Sequence, residues 1–397
     1  MLKYVIIILV IWMKIAVIGG GASGLFLSSY LKRKYKDIDI TIFDKNKSLG
    51  RKLLATGNGK CNFSNFKAIP EDYNNPEFIF KLFKKCPKEE LINYFSSLGL
   101  MFYFDEEGRM YPISNSSQTI LNLFLEDLKG VDVKLETIVS SIYQKNNKVF
   151  INEIPFDYAI LATGSNANID IKKAESTYSY LQSLKLKFNK LIPSLVGFKS
   201  NDKDIKILKG YRSKGFVYLF DNDKPIFKEF GEIMFKEDGL SGIVVMNSSH
   251  YYNSGNKMIL DLIPNISPDE MLYKLNKRYG ENNNPNYYLE PIFHPQMIEF
   301  LKKKNILKPE DIIKFLKEYD PQISQTYDFK DAQVSKGGID LSEIDEDFRL
   351  KKYNRMFVTG ELLDINGLCG GYNLMFAFLS ALVAAKKIGE IYENKNN

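Results

Sequence analysis

Residues 14–24 read KIAVIGGGASG. Ile15-Ala16-Val17-Ile18 is an aliphatic run without polar alternation, the pattern of a strand buried on both faces of a parallel sheet. It ends in Gly19-x-Gly21-x-x-Gly24, and Ala22–Lys34 continues with a helical pattern. In that setting the glycines have separate uses. Gly19 permits a tight turn, Gly21 lets a pyrophosphate approach the backbone, and Gly24 lets helix and strand pack closely. The helix start at Ala22 and Ser23 turns free N–H groups and a positive dipole end toward phosphates. Residues 39–44, DITIFD, make the next strand, which completes a βαβ unit of about 30 residues. Asp44 ends that strand about 20 residues beyond the glycines, where an acid accepts from ribose hydroxyls. Its charge disfavours a 2′-phosphate, and Lys45 beside it joins the expected cofactor set. The stretch predicts a Rossmann-like dinucleotide site.

Bulk properties narrow the class. The chain has 397 residues, with 54 Lys+Arg against 48 Asp+Glu and a net charge of +6. The excess is dispersed, which describes a solvated surface, and no nucleic-acid partner is expected. Cys61, Cys86 and Cys369 form no CxxC pair, which fits a reducing cytoplasm. With only His250 and His294, no metal site is expected. The cytoplasm is the expected compartment, without membrane association, and nothing in the sequence sets an oligomeric state.

The pattern along the chain changes twice. Up to residue 188 it alternates strands and helices: Pro87–Leu98 and Ser117–Leu128 read as helices, and Val131–Ser141, Lys148–Ile151 and Tyr158–Leu161 as strands. Leu49–Asn65 reads as a Gly/Asn-rich loop. Residues 189–263 carry short alternating runs (SLVGFKS, GFVYLFDN, KPIFKEFGEIMF, KMILDLI) separated by turn residues, the signature of antiparallel strands. Residues 264–331 are helical and lysine-rich. Residues 332–397 return to strand, glycine turn and a last helix, Leu374–Glu390. The pattern therefore breaks the chain into an α/β part at 13–188, an antiparallel and then helical part at 189–331, and a return to α/β at 332–397.

Three stretches favour FAD over NAD. Ala162-Thr163-Gly164 returns a strand end to the first glycine turn. Gly360, Glu361 and Asp364 follow the strand Phe357-Val358, and Asp364 offers an acceptor to ribitol hydroxyls. Gly370-Gly371-Tyr372-Asn373 opens the last helix, where backbone N–H groups meet the charge that gathers on a reduced flavin.

With those residues in view, the chain resembles the bacterial BaiN/RdsA-type (aminoacetone oxidase-like) FAD-dependent oxidoreductases. The resemblance is carried by VIGGGASG at 17–24, GRKLLATGNGKCNFSN at 50–65, GRMYP at 108–112, LATG at 161–164, GEIMFKEDGLSG at 231–242 and TGELLDINGLCGGYN at 359–373. Lys60 stands where the family usually has Arg, and Asp44 where Glu is common. The segment after LATG, Gly164–Asn168, lacks the usual longer glycine-rich run. The resemblance implies a Rossmann-like FAD-binding α/β domain, discontinuous over 13–188 and 332–397, with an inserted antiparallel β-barrel-like plus helical domain at 189–331, and it implies that Arg51 and Lys52 meet the pyrophosphate or the flavin. It implies that Gly57, Asn58 and Asn62 bond ribitol or ring, and that Val139 holds adenine through its backbone. No catalytic residue is assigned; Tyr372 and Lys60 are the candidates.

The expected activity is NAD(P)H-driven reduction of an unsaturated or carbonyl-conjugated small molecule by hydride transfer through flavin N5. No second Gly-x-Gly-x-x-Gly is present, so NAD(P)H would bind transiently. The alternatives are an amine-type oxidase using O₂ and an RNA-acting or redox-sensing flavoprotein. Upstream of Met13, residues 1–12 contain an apolar run, Tyr4–Trp12, far short of the roughly 20 residues a membrane helix needs. No small-residue cleavage site follows it. Residues 1–12 are therefore expected to be a mis-called extension, and mass spectrometry of the native protein is expected to find a chain starting at Met13. A native chain beginning at Met1 would end this expectation.

Overall fold

The computed structural model describes residues 12–167 and 178–396; the expected extension, apart from Trp12, and Asn168 lie outside the described residues. The chain divides into two compact units. One comprises the residues up to Ile192 together with Ser335 onward, and the other is Pro193–Val334.

The first unit is built on the opening stretch. Strand β1 (Lys14–Ile18) runs into helix α1 (Ala22–Lys34), which returns to strand β2 (Asp39–Phe43). β1 is central in a five-stranded sheet, pairing in parallel with β2 on one side and with Tyr158–Leu161 on the other. Met356–Val358 and Asp132–Lys134 are the outer strands, also parallel. Parallel strands need helices on their faces. α1 meets the C-terminal helix Tyr372–Asn396 through Phe26 and Phe378, whose ring centroids lie 5.3 Å apart. Phe95 and Phe124 close around the same pair, all four rings fully buried.

Several expectations change here. Val131–Ser141 is not one long strand. Only Asp132–Lys134 pairs, and Glu136 at φ 48° breaks the run. The chain then folds back on the end of β2, with Glu136 N–H donating to Asn46 O and Thr137 N–H to Asp44 O. Val139 is therefore in a wrapping segment, not a strand. Leu49–Asn65 is not all loop: residues 51–55 form a helical turn, α2 (Arg51–Ala55). Arg, Lys, Leu and Ala all favour helix, and Leu53 gains a buried position there. The helix Pro76–Lys85 went unread. Hairpins at Asn146-Asn147 and Asn152-Glu153 have both central residues at positive φ, the two-residue turn whose twist suits paired strands.

The second unit holds a six-stranded antiparallel sheet. Its longest pair is Arg212–Asp221 with Lys224–Phe235. Tyr319 exchanges backbone hydrogen bonds with Leu260 on one edge strand, just before the opposite edge strand Ile323–Thr326. Four helices between Pro268 and Lys317 supply the helical part. Ile243–Tyr251, inside the strand-rich stretch, is a helix, which its β-branched Ile-Val-Val start conceals from pattern reading.

In the first unit the tightest packing is at Gly24. A Cβ there would stand 2.0 Å from the Gly19 carbonyl oxygen. Gly24→Ala must push α1 off β1, and the expected loss is about 1–3 kcal/mol of stability, read by urea unfolding.

Candidate active site

The glycine turn is locked by its neighbours. Gly19 has φ 108° and would place a Cβ 2.3 Å from Ala162 O, so the turn lies against the end of the Tyr158–Leu161 strand. Gly19 N–H donates to Phe43 O. Gly20 N–H donates to Asp44 Oδ2 at 2.8 Å. Gly21, by contrast, has no atom within 4 Å of a Cβ position, and neither has Gly164. α1 begins after Gly21 without a side-chain cap and without an acid in its first turn. An uncapped helix start beside open space suits phosphate, because the first N–H groups have no intrahelical acceptor.

Beside the turn lies a narrow, half-open cleft. Gly19, Asp44, Lys45, Val139 and Thr163 line it, all expected from sequence, together with Asn46 and Tyr180, which were not. Asp44 is held by three donors: Gly20 N–H, Asn46 N–H and Asn46 Nδ2, the last two on Oδ1 at 2.7 and 2.8 Å. Asn46 also accepts from Arg51 Nη1 at 2.9 Å, so Arg51 reaches the cleft through Asn46. Tyr180 OH shares a hydrogen bond with Thr163 Oγ1, and Tyr178 OH donates to Gly164 O.

Lys52 comes from α2 and donates to Ser165 O at 2.7 Å. Burial pushes its pKa down, and the nearby Glu361 carboxylate opposes that shift. No ion pair among the described residues engages it. An enclosed ammonium without a paired anion is costly, and a bound phosphate or a charged ring relieves the cost. Lys45 is likewise pushed down, by burial and then by Lys52.

The second half of the site is the Thr359–Asn373 segment. Gly360, at φ 69°, sits over Ser23 at the start of α1: a Cβ there would lie 2.8 Å from Ser23 Oγ. Glu361 Oε1 accepts from Ser335 N–H. Asp364, like Asp44, is held by three donors. Oδ1 accepts from Gly337 N–H at 2.9 Å and Asn74 Nδ2 at 3.3 Å, and Oδ2 from Asn189 Nδ2 at 2.8 Å. Asn373 is engaged too: its amide accepts from Gly367 N–H and donates to Gly367 O, holding the loop before the helix. The Gly370-Gly371 turn packs on the 50–65 signature. A Cβ on Gly371 would lie 2.4 Å from Ser64 O and 2.6 Å from Asn62 Oδ1, and Asn65 Nδ2 donates to Gly370 O. Gly57 and Asn58 take left-handed conformations in the turn before Lys60, which is exposed.

Sequence reading missed the segment 70–75, which clamps this loop. Tyr73 OH donates to Tyr372 O, and Asn74 exchanges backbone and side-chain bonds with Asn366. Tyr73 and Asn74, unremarkable in sequence, carry that role through side chain and backbone together.

The residues fit FAD by their own geometry. Gly21 and Gly164 leave open cradles, α1 is uncapped, and the buried Asn62 Oδ1 and Thr359 Oγ1 lack hydrogen-bond partners. Cys61 is fully buried with its thiol pushed up to about 12 by burial, and so holds no thiolate at neutral pH. Among the described residues no group of three His, Cys, Asp or Glu is placed to hold a metal, and no helix is long and apolar enough to cross a membrane.

Lys52 has a pKa lower folded than unfolded, so its charging costs stability below the folded pKa. That cost fades as pH rises toward the ordinary lysine value. FAD-free Lys52→Met is therefore expected to melt above the FAD-free parent at pH 7, with the gap narrowing in alkali, while its Kd for FAD rises. Thermal scans and FAD titration check both.

The HI0933-like protein Rossmann domain model matches residues 13–387. The 3-dehydro-bile acid delta(4,6)-reductase of Clostridium scindens is 29% identical over 95% of this chain and 99% of its own length. The ribosomal RNA dihydrouridine synthase of Haemophilus influenzae is 24% identical over 94% of this chain and 97% of its own. Among solved structures, a quinol fumarate reductase of Escherichia coli covers 97% of this chain and 71% of its own at 11% identity and a TM-score of 0.48, too distant to bear on activity. The chain belongs to the HI0933-like Rossmann-domain family, and with it to the FAD-dependent oxidoreductases.

Proposed function

We propose that this chain uses NAD(P)H to reduce a carbon–carbon double bond conjugated to a carbonyl. The observation that carries the reading is its full-length similarity to the bile acid reductase, which extends over both units. By its name, that relative reduces double bonds at positions 4 and 6 of a 3-oxo bile acid. FAD, when bound, supplies two-electron acceptance from a nicotinamide and hydride return to an electron-poor carbon.

The protein's own part is to bind, orient and handle charge. The start of α1 and Lys52 hold the phosphates, and Asp44 with Asn46 holds the ribose end. The Gly370-Gly371 turn offers backbone N–H groups at the start of the C-terminal helix, where the dipole favours negative charge. Hydride arrival at the β-carbon leaves negative charge on the carbonyl oxygen, and a proton must follow to the α-carbon. Lys60 and Tyr372 are the groups this reading assigns to those tasks.

A second reading keeps the bond chemistry and changes the substrate. It is favoured by the relative named for ribosomal RNA: uracil also has a double bond conjugated to a ring carbonyl. Anaerobic NADH or NADPH is expected to bleach the absorption of the FAD-loaded protein, and a 3-oxo-4,6-diene bile acid to restore it. Restoration by a ribosomal RNA transcript, with none by the diene, assigns the RNA reading. A flavin that neither nicotinamide bleaches overturns both.

A further inference from the structure

The motif GRMYP at 108–112 is left without a use by the cofactor site, although it lies next to it. Strands Phe102–Phe104 and Arg109–Pro112 pair antiparallel, with Tyr103 directly opposite Tyr111. Side chains alternate across a strand, and here the two faces differ. Phe102 and Met110 turn inward: Met110 is fully buried and Phe102 meets Phe63 at 5.9 Å. Tyr103 and Tyr111 turn the other way. Their rings stack with centroids 5.6 Å apart and planes 24° apart. Tyr103 is 38% exposed, and its hydroxyl is tied to Asn115 Oδ1 at 2.8 Å, which fixes the ring.

A continuous wall joins this pair to the Gly370-Gly371 turn. A Cβ on Gly57 would lie 4.0 Å from Tyr111 Cε1 and 3.1 Å from Asn62 N. Asn62 in turn touches the Gly371 position through its unpartnered, buried Oδ1. Gly59, within the same turn, has nothing within 4 Å of a Cβ position. So a flat, anchored, partly exposed aromatic surface stands one glycine turn away from the segment that opens the C-terminal helix.

We propose that Tyr103 and Tyr111 form the stacking site for the planar, carbonyl-conjugated ring of the substrate. The inference rests on the proposed reduction of a conjugated carbonyl and names where that ring is held. The match is one of shape and polarity. A conjugated enone or a uracil is flat and electron-poor, and an electron-rich phenol face stacks on it in an offset arrangement. Such stacking is worth roughly 5- to 150-fold in affinity per ring. The hydroxyls are not required, so Phe can replace Tyr, whereas Leu keeps the bulk and loses the π-face.

The test separates binding from turnover. Affinity of the oxidised, FAD-loaded protein for a 3-oxo-4,6-diene bile acid and for a uridine-containing ribosomal RNA transcript is measured by calorimetry, without nicotinamide. The double variant Tyr103→Leu/Tyr111→Leu is expected to weaken the bound probe by tenfold or more. Tyr103→Phe/Tyr111→Phe is expected to stay within about threefold of the parent. NADH bleaching and FAD content are expected to be equal in all three. Equal affinity in the Leu variant overturns the proposal, whether or not that variant also melts lower, as a purely structural cross-strand pair would. A parent that binds neither probe overturns it as well. A parent that binds a probe but does not reduce it when NADH or NADPH is added counts against the proposed reduction instead, and the two failures are told apart.

Discussion

Everything at the candidate site depends on one backbone contact. Gly19 is pressed so closely against Ala162 that no side chain fits between them, and Gly24 is pressed as closely against Gly19. These approaches bring three segments to one point: the first turn, the strand end at Leu161 and the start of α1. The helix can then aim its unpaired N–H groups at open space, with Gly164 and Gly21 as the empty positions on either side. Had the first turn carried a Cβ, helix and strand would separate and the phosphate cradle would be lost.

Around that contact the protein gathers charged groups in partly buried positions. Lys52 and Lys45 both lie where burial disfavours their charged forms, and Asp44 is occupied by backbone and amide donors. An arrangement of this kind is poorly balanced alone and well balanced around an anion. The buried oxygens of Asn62 and Thr359 also lack partners, and a ligand group able to hydrogen-bond them, a donor in the case of the Asn62 amide oxygen, would relieve that cost. Their common position in signature loops ties the cost of the site to what it binds.

The C-terminal segment shows a division of labour between side chain and backbone. Asp364 and Asn373 spend their side chains on holding the loop, bonded to Gly337, Asn189, Asn74 and Gly367. Tyr73 and Asn74 brace it from the opposite side. What the loop offers outward is backbone: two glycines at φ 136° and 94° opening a 25-residue helix. The second unit is organised separately around its own apolar core, from Phe198 to Tyr319, under an antiparallel sheet.

The sequence by itself determined the βαβ start, because a buried parallel strand, a glycine turn and an acid at a fixed distance are local patterns with local causes. β1, α1 and β2 lie within a residue of where the pattern puts them. It also singled out Gly19, Gly24, Gly370 and Gly371, whose close approaches or dihedrals only glycine tolerates, and Gly21, which leaves open space beside the helix start. What it could not determine was which polar side chains face a ligand and which face the protein. Asp364 and Asn373 read as cofactor ligands; in the structure Asp364 accepts from residues 27 to 290 positions away, and Asn373 accepts from Gly367 N–H and donates to Gly367 O. Asn46, Tyr180 and the Tyr73-Asn74 clamp went unread for the same reason. A hydrogen bond between distant segments leaves no period in the chain. Only the tertiary structure, by choosing which segments meet, decided which groups hold the fold and which are left to hold something else.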